Sequence, residues 1–528
     1  MGGRVLAAAR RPATRTAKVL RSSGVAGAAL ALALQAGALS AQLAGSPEAG
    51  AGLLVVKGGW LFDGVSPGRV PNPGLVIDNR KFVAVTGEPS GLDLSRARVL
   101  ELGGDQTVLP GMFDLHAHYN LDVLGAGRSD APDWMGVLWL ANGVTSTFPA
   151  GEYDPDRMHR ARLLIDRGEQ VGARIFGSGP YWGAGRCGDA ANGSSATCPE
   201  WPADMSPRAI RQEVDYWAER GVRSLKIKAA TREQMRLLIE HAHRRGLTTT
   251  SHLQTEDFHL EIHPKEAIEM GLDRLEHGIA SVEDVILGKV RVGDPDLEVL
   301  FDLVIARGVY VDPTMRQYCS DTLRRQGLLE PWTDEARFFT PWVRQRRREL
   351  GMPLLSGSPP FRPDPPPGSL RDYGKFCAHK MPELLAFHER GGGHLVTIGT
   401  DAPRLLGGFA YHRDLEVHVL AGIPPMDVLR SATINGARAL RVDDLLGSIE
   451  VGKLADLVVV DGNPLERIEA TREVRWVVKA GELHDPAELL RQAEGQIGPA
   501  GPEEEDAWRW RGPWSLAKVR QGTAGGLR

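Results

Sequence analysis

The stretch GVRSLKIKAATREQMRLLIEHAHRRGLTTTSHLQ, residues 221–254, decides the reading of the fold. RSLKIKAA is apolar and reads as a strand. Thr231 and Gln234 then form a capping box. Met235, Leu238, Ile239 and Ala242 follow at helical spacing, and Gly246 ends the helix. LTTTSHLQ is the next strand. A strand, a helix and a strand in this order predict a βα unit with parallel pairing. The first strand also carries an anomaly. Lys226 and Lys228 stand two apart, so they share a face. A buried ammonium is costly unless it is paired or chemically changed.

The same alternation extends over residues 112–435, with later strands in DRLEHGIA, GVYVDPTM and HLVTIGTDAP. Short β segments flank it on both sides, at 53–111 and at 436–485, and predict one small discontinuous domain built from both chain ends. Residues 318–375 form a long insertion, rich in Arg and Trp and then in Pro. A lid or specificity element and a solvent-facing decoration are both consistent with it. Residues 486–528 read as an appended tail whose tryptophans are expected to dock on the body. No internal repeat is present.

The 528 residues, 42% hydrophobic and 25% charged, suffice for a large core. The formal charge of −4 hides an asymmetry. Residues 1–40 hold Arg4, Arg10, Arg11, Arg15, Lys18 and Arg21 and no acid, so the remainder is strongly acidic. That balance argues against nucleic acid or an anionic membrane as partner. The basic start, the apolar GVAGAALALALQAGALS and the small residues Ala38 and Ser40 read as an export signal over 1–40. The apolar run is short for a membrane span. A periplasmic or secreted chain without a stable membrane anchor is expected. Four cysteines suit that compartment. Cys187 and Cys198 flank a loop-like stretch that a disulfide could close, and Cys319 and Cys377 could pair as well. Free thiols are the alternative.

LPGMFDLHAHYN places His116 and His118 at the end of an apolar strand, where i and i+2 point to one face and one metal ion can take both. His241 and His243 have the same spacing but lie on the helix, where they diverge, so they read as surface residues. His252, His277 and Asp401 close three further strands. Each alone has a plainer reading: a core cap, a backbone hydrogen bond, a helix cap. In a parallel barrel, however, the C-terminal strand ends converge on one mouth. Four histidines, one aspartate and one lysine would then meet there.

VLPGMFDLHAH, GVRSLKIK, SHLQ, LEHG, GTDAP, ATINGARAL and GSIEVGKLADLVVVDGNPL together make the chain resemble the amidohydrolase superfamily, nearest the imidazolonepropionase and Xaa-Pro dipeptidase group, over roughly residues 53–485. The resemblance implies a distorted (β/α)8 TIM barrel with a small discontinuous β-sandwich. It implies that His116, His118 and Asp401 bind one divalent ion and that His252 and His277 bind a second. Lys226, five residues after Gly221, would bridge the two as a carbamate formed with carbon dioxide. Zinc suits such ligands. A bridging hydroxide would be the nucleophile, with Asp401 moving its proton. The plainer role for Lys226 is an ion pair, for example with Glu276. The resemblance also points to homo-oligomers.

Further candidates are substrate contacts: Tyr181 and Trp182 after the third strand, Lys228 on the lysine face, Arg316 and Arg404 for a substrate carboxylate, and His412 near the eighth loop. Many relatives carry an Arg-Asp pair after the second strand, where this chain reads GVTSTFPAGEY. The expected activity is hydrolysis of a C–N bond, amide or peptide-like, in a small molecule or short peptide. The rivals are a one-metal deaminase or cyclic-imide hydrolase, an esterase, lactonase or phosphotriesterase on the same site, and a non-catalytic binding protein.

Overall fold

The strands set the frame of the chain, described by a computed structural model over residues 52–87, 93–123, 129–188, 198–253, 262–329, 335–352, 373–402 and 406–525. They run β1 Leu54–Leu61, β2 Val70–Pro71, β3 Gly74–Asp78, β4 Lys81–Val85, β5 Arg98–Pro110, β6 Met112–Ala117, β7 Asn120–Leu121, β8 Ser129–Asp130, β9 Val144–Pro149 and β10 Arg174–Ile175. After these come β11 Ser224–Lys228, β12 Thr248–His252, β13 Arg274–Glu276, β14 Tyr310–Asp312, β15 Leu457–Asp461, β16 Val474–Lys479 and β17 Glu482–His484.

Both chain ends contribute to one eight-stranded sheet in the order β17-β16-β15-β5-β1-β3-β4, with β2 on β1. The join is β15 against β5, antiparallel, with Leu457 opposite Pro110. Leu54, Val56, Leu75, Phe82, Val108, Leu457, Val459 and Val478 fill its core. The described residues place these strands in a single sheet rather than in two stacked ones.

The middle of the chain holds two parallel sheets, β10-β9-β6 and β11-β12-β13-β14. Ser224–Lys228 pairs in register with Thr248–His252, and the helix Arg232–Arg244 crosses between them. Its capping box from Thr231 and Gln234 is formed, and Met235, Leu238, Ile239 and Ala242 are its buried face. Every residue of β6, β9 and β11 is buried, as expected for parallel strands covered on both faces.

The two parallel sheets do not fuse into one continuous closed barrel. At one seam a single bridge joins Trp182 to Ile227. Gly179 at φ +67° and Pro180, which has no N–H to give, interrupt the ladder before it. At the other, residues 396–401 lie between β14 and β6. Thr397 N donates to Val311 O (2.9 Å), Leu115 N to Ile398 O (2.9 Å) and Asp401 N to His116 O (3.0 Å). Gly399 permits this approach, since a Cβ there would come 2.4 Å from Asp312 Oδ2.

Outside the sheets, Cys187–Cys198 and Cys319–Cys377 are both disulfides. The tail docks through Trp514, whose Nε1 donates to Asp156 (2.9 Å), and through Trp510, edge-on to Tyr153. The insertion contributes helices Met315–Arg325 and Pro341–Glu349. Its proline-rich part, Arg404 and the basic start read as an export signal lie outside the described residues. No helix among the described residues is long and apolar enough to cross a membrane.

Arg174 on β10 ties the parallel sheet to the end-built one. It donates to Asp456 Oδ2 (2.6 Å), both side chains being buried, and Asp456 Oδ1 accepts from Ala480 N (2.7 Å). Replacing one partner leaves the other charge buried without its counter-ion, at about 3–5 kcal/mol. Arg174→Met is therefore expected to lower unfolding stability by that amount in urea titration. A loss below about 1 kcal/mol would show that the pair does not hold the two sheets together.

Candidate metal centre

Successive parallel strands bring their C-terminal ends to one mouth, and five side chains meet there. His118 Nε2 lies 3.1 Å from Asp401 Oδ1, and His116 Nε2 lies 3.8 Å from the same oxygen. His277 Nδ1 lies 3.8 Å from Asp401 Oδ2. His277 Nε2 and His252 Nδ1 are 2.8 Å apart. His116, His277 and Asp401 each offer a ligand atom within 4.8 Å of the others, and so do His252, Glu276 and His277. The backbone bends sharply to present them. His277 has φ +69° and Asp401 φ +42°, in the left-handed region that a side chain rarely occupies.

Electrostatics prepares these groups as ligands. Burial above all holds His116, His252 and His277 well below the usual histidine range. All three are neutral imidazoles with lone pairs to give. Burial opposes the charge of Asp401, but its histidine neighbours, with a hydrogen bond from His118, hold its carboxyl well below the usual carboxylate range. Lys226 is 1% exposed. Burial, and then the neighbouring Lys228, hold its amine well below the usual lysine range.

Lys226 Nζ lies against Glu276 Oε2, so the ion pair weighed as its plainer role is present. Glu276 Oε1 also accepts from Thr250 Oγ1 (2.9 Å), and its Oε2 lies 3.9 Å from His116 Nδ1. A second buried acid, Asp312, places Oδ2 3.3 Å from His116 Nδ1. Burial pushes its carboxyl up to about 6. A carboxylate behind a histidine fixes which ring nitrogen faces outward. Thr314 Oγ1 meets His277 Nδ1 at 2.9 Å. The buried His116 Nδ1, Lys226 Nζ, Glu276 Oε2 and both Asp312 oxygens crowd together here without a hydrogen bond of good geometry.

The model of the amidohydrolase family matches residues 107–483. The chain belongs to the amidohydrolase family. Among curated relatives, adenine deaminase 4 of Rhizobium meliloti is 42% identical over 81 residues, 14% of this chain and 14% of that protein. The chain thus matches well under a fifth of that relative's length. Among solved structures, a Xaa-Pro dipeptidase with bound methionine superposes with a TM-score of 0.58 at 21% identity, covering 82% of this chain and 100% of that one. Molinate hydrolase superposes with a TM-score of 0.60 at 18% identity, covering 85% and 98%. At these identities the likeness is one of fold.

Within this amidohydrolase frame the other candidate residues separate. Lys228 and Tyr181 lie together, the ammonium 5.2 Å from the ring centre. Trp182 is fully buried and serves the seam, its Nε1 donating to Ser178 O (3.0 Å). His412 turns away to Thr471 Oγ1 (3.1 Å), because the helix Gly407–Leu420 packs that face inward. His241 and His243 pair with Asp215 (2.9 Å) and Asp273 (2.8 Å) on the helix flank. Asp312 was not among the candidates, and Glu276 entered only as an ion-pair partner for Lys226.

Arg316 is engaged with the backbone that presents Asp401. Its side chain donates to Thr400 O (3.0 Å) and Asp401 O (2.8 Å), and its backbone N donates to Asp414 Oδ1 (2.7 Å). The planar fork holds the backbone that presents Asp401, a geometry a lysine cannot copy. Arg316→Lys is expected to weaken metal retention about tenfold or more in chelator competition. A rise in KM at unchanged metal content would instead return Arg316 to the substrate.

Proposed function

We propose that the chain is an exported metal-dependent hydrolase that cleaves a C–N bond, amide or peptide-like, in a small molecule or short peptide. The observation that carries this reading is the convergence of four histidines, Asp401 and the buried Lys226 at one strand-end mouth. His116, His118 and Asp401 would hold one divalent ion, and His252 and His277 a second; zinc fits this donor set. Bound ions would polarise the scissile carbonyl and acidify a water. We read the two parallel sheets and residues 396–401 as an interrupted (β/α)8 barrel. The two disulfides support an oxidising compartment.

The chain's own residues supply the rest. Asp401 Oδ1 and Oδ2 face the histidines from both sides, so its carboxylate can take a proton from the attacking water and release it to the leaving amine. Lys226 is held toward its neutral amine, which can add carbon dioxide. The new N–C bond gives a carboxylate between the two histidine sets, and the displaced proton passes to Glu276 Oε2 beside it. Lys228 and Tyr181, which lie together, would meet the substrate.

A second reading draws on the Lys226–Glu276 contact. With the lysine kept as an ammonium, the site would hold one ion, as in a deaminase-like hydrolase. Metal counting separates the two. Two ions per chain in the wild type, falling together with activity in Lys226→Ala, support the carbamate. One tightly held ion, unchanged by that substitution, supports the ion pair. Lys228→Ala is expected to raise KM with metal content intact. With zinc and bicarbonate present, N-acyl amino acids and dipeptides are expected to be hydrolysed; activity confined to lactones and esters would overturn the C–N assignment.

A further inference from the structure

His277 sits in a turn that its own sequence does not favour, and two buried charges from a distant helix grip that turn. His277 has φ +69° and Gly278 φ +136°. Lys380 Nζ donates to the carbonyl of His277. Glu383 Oε1 accepts from the backbone N of Ile279 (3.0 Å) and of Ala280 (2.8 Å). Both side chains are almost fully buried. Gly278 leaves room between them: a Cβ there would lie 3.5 Å from both Lys380 Nζ and Glu383 Oε2.

Lys380 and Glu383 stand on the helix Tyr373–Glu389, where Pro382 interrupts the backbone ladder between them. Lys380 also lies over the rings of Tyr318 (5.0 Å) and Phe376 (4.9 Å). The Cys319–Cys377 disulfide fastens this helix to Met315–Arg325, which begins next to Thr314. Thr314 and Tyr318 touch the His277 ring, one by hydrogen bond (2.9 Å) and one edge-on (5.7 Å between centres). Two helices, bound covalently to each other, therefore fix the backbone of one candidate ligand from one side and its ring from the other.

We propose that Lys380 and Glu383 are positioning residues for His277, holding its turn so that the ring stays aimed at the metal ion. The inference rests on the reading of His277 as a metal ligand. Such a turn cannot rely on its own torsional preference. The clamp replaces that preference with charge-assisted hydrogen bonds in a dry setting. It also gives the helix returning from the insertion a task distinct from both lid and decoration.

The test uses the full chain, stripped by chelator and reloaded with cobalt(II), in the wild type and in Lys380→Met combined with Glu383→Gln. One of the two ions is expected to bind about tenfold or more weakly in the variant, with a changed visible absorption band, while the other is unaffected. Lys380→Arg, which keeps a charged donor, is expected to restore most of the affinity. A general loss of packing would lower the melting temperature without singling out one ion. A folded variant that binds both ions with wild-type affinity and spectrum overturns the clamp. Should the double variant not fold, Glu383→Gln alone decides by the same readings. A wild type that takes up no cobalt overturns the metal-site reading itself, and the clamp with it.

Discussion

The carboxylate of Asp114 is the joint on which the site depends. It accepts from the backbone N of His116 (3.0 Å) and of Thr400 (3.1 Å), from Thr400 Oγ1 (2.8 Å) and from Trp139 Nε1 (3.1 Å). Those donors come from β6, from the segment that presents Asp401, and from the helix Pro132–Ala141 that covers them. One buried acid thus ties β6 to the segment that presents Asp401, across the seam that lacks a continuous ladder. Burial raises its carboxyl to about 6, while the four donors oppose that shift. An unmatched acceptor here would be expensive, so the geometry on both sides is tightly specified.

Below the mouth the interior is unusually polar. Lys226, Arg274, Glu276 and Asp312 are all buried, and Arg274 reaches Thr250 Oγ1 (3.2 Å) while lying over the Phe148 ring. Such a set is poor value as a source of stability, since desolvation offsets most of the attraction. Its effect is to orient: each acid faces a specific histidine or lysine. Burial, more than this layer, holds the histidines and Lys226 toward their neutral forms.

Much of this was legible in the sequence, for identifiable reasons. The βα unit over 221–254 carried both a capping box and a period of 3.6, two local signals that agree. His116, His118, His252, His277 and Asp401 each stood at the end of a strand-like segment, so the topology alone gathered them. Arg316 and His412 could not be placed from the sequence, because a polar residue after a strand looks alike whether it faces the mouth or a neighbouring loop. Only the tertiary partners, Thr400 O and Thr471 Oγ1, separate the two. Asp312 gave no signal, since its role depends on His116 from a strand far away in sequence. The continuous barrel and the two-layered small domain came from resemblance, and local glycines, Pro180 and the single end-built sheet modify both.

That sheet has a temporal consequence. Gln106 on β5 bonds to Asp461 at the end of β15, 355 residues later in the chain. The early strands cannot complete their sheet until the late ones exist. At 5–20 residues per second, synthesis leaves that edge open for roughly 20–70 s. Contacts this remote also close slowly, because loop entropy is lost before they form. The middle of the chain can assemble its βα units meanwhile, but the domain built from the two ends is the last event of folding, and a chain cut short before residue 457 would keep a long unpaired strand edge.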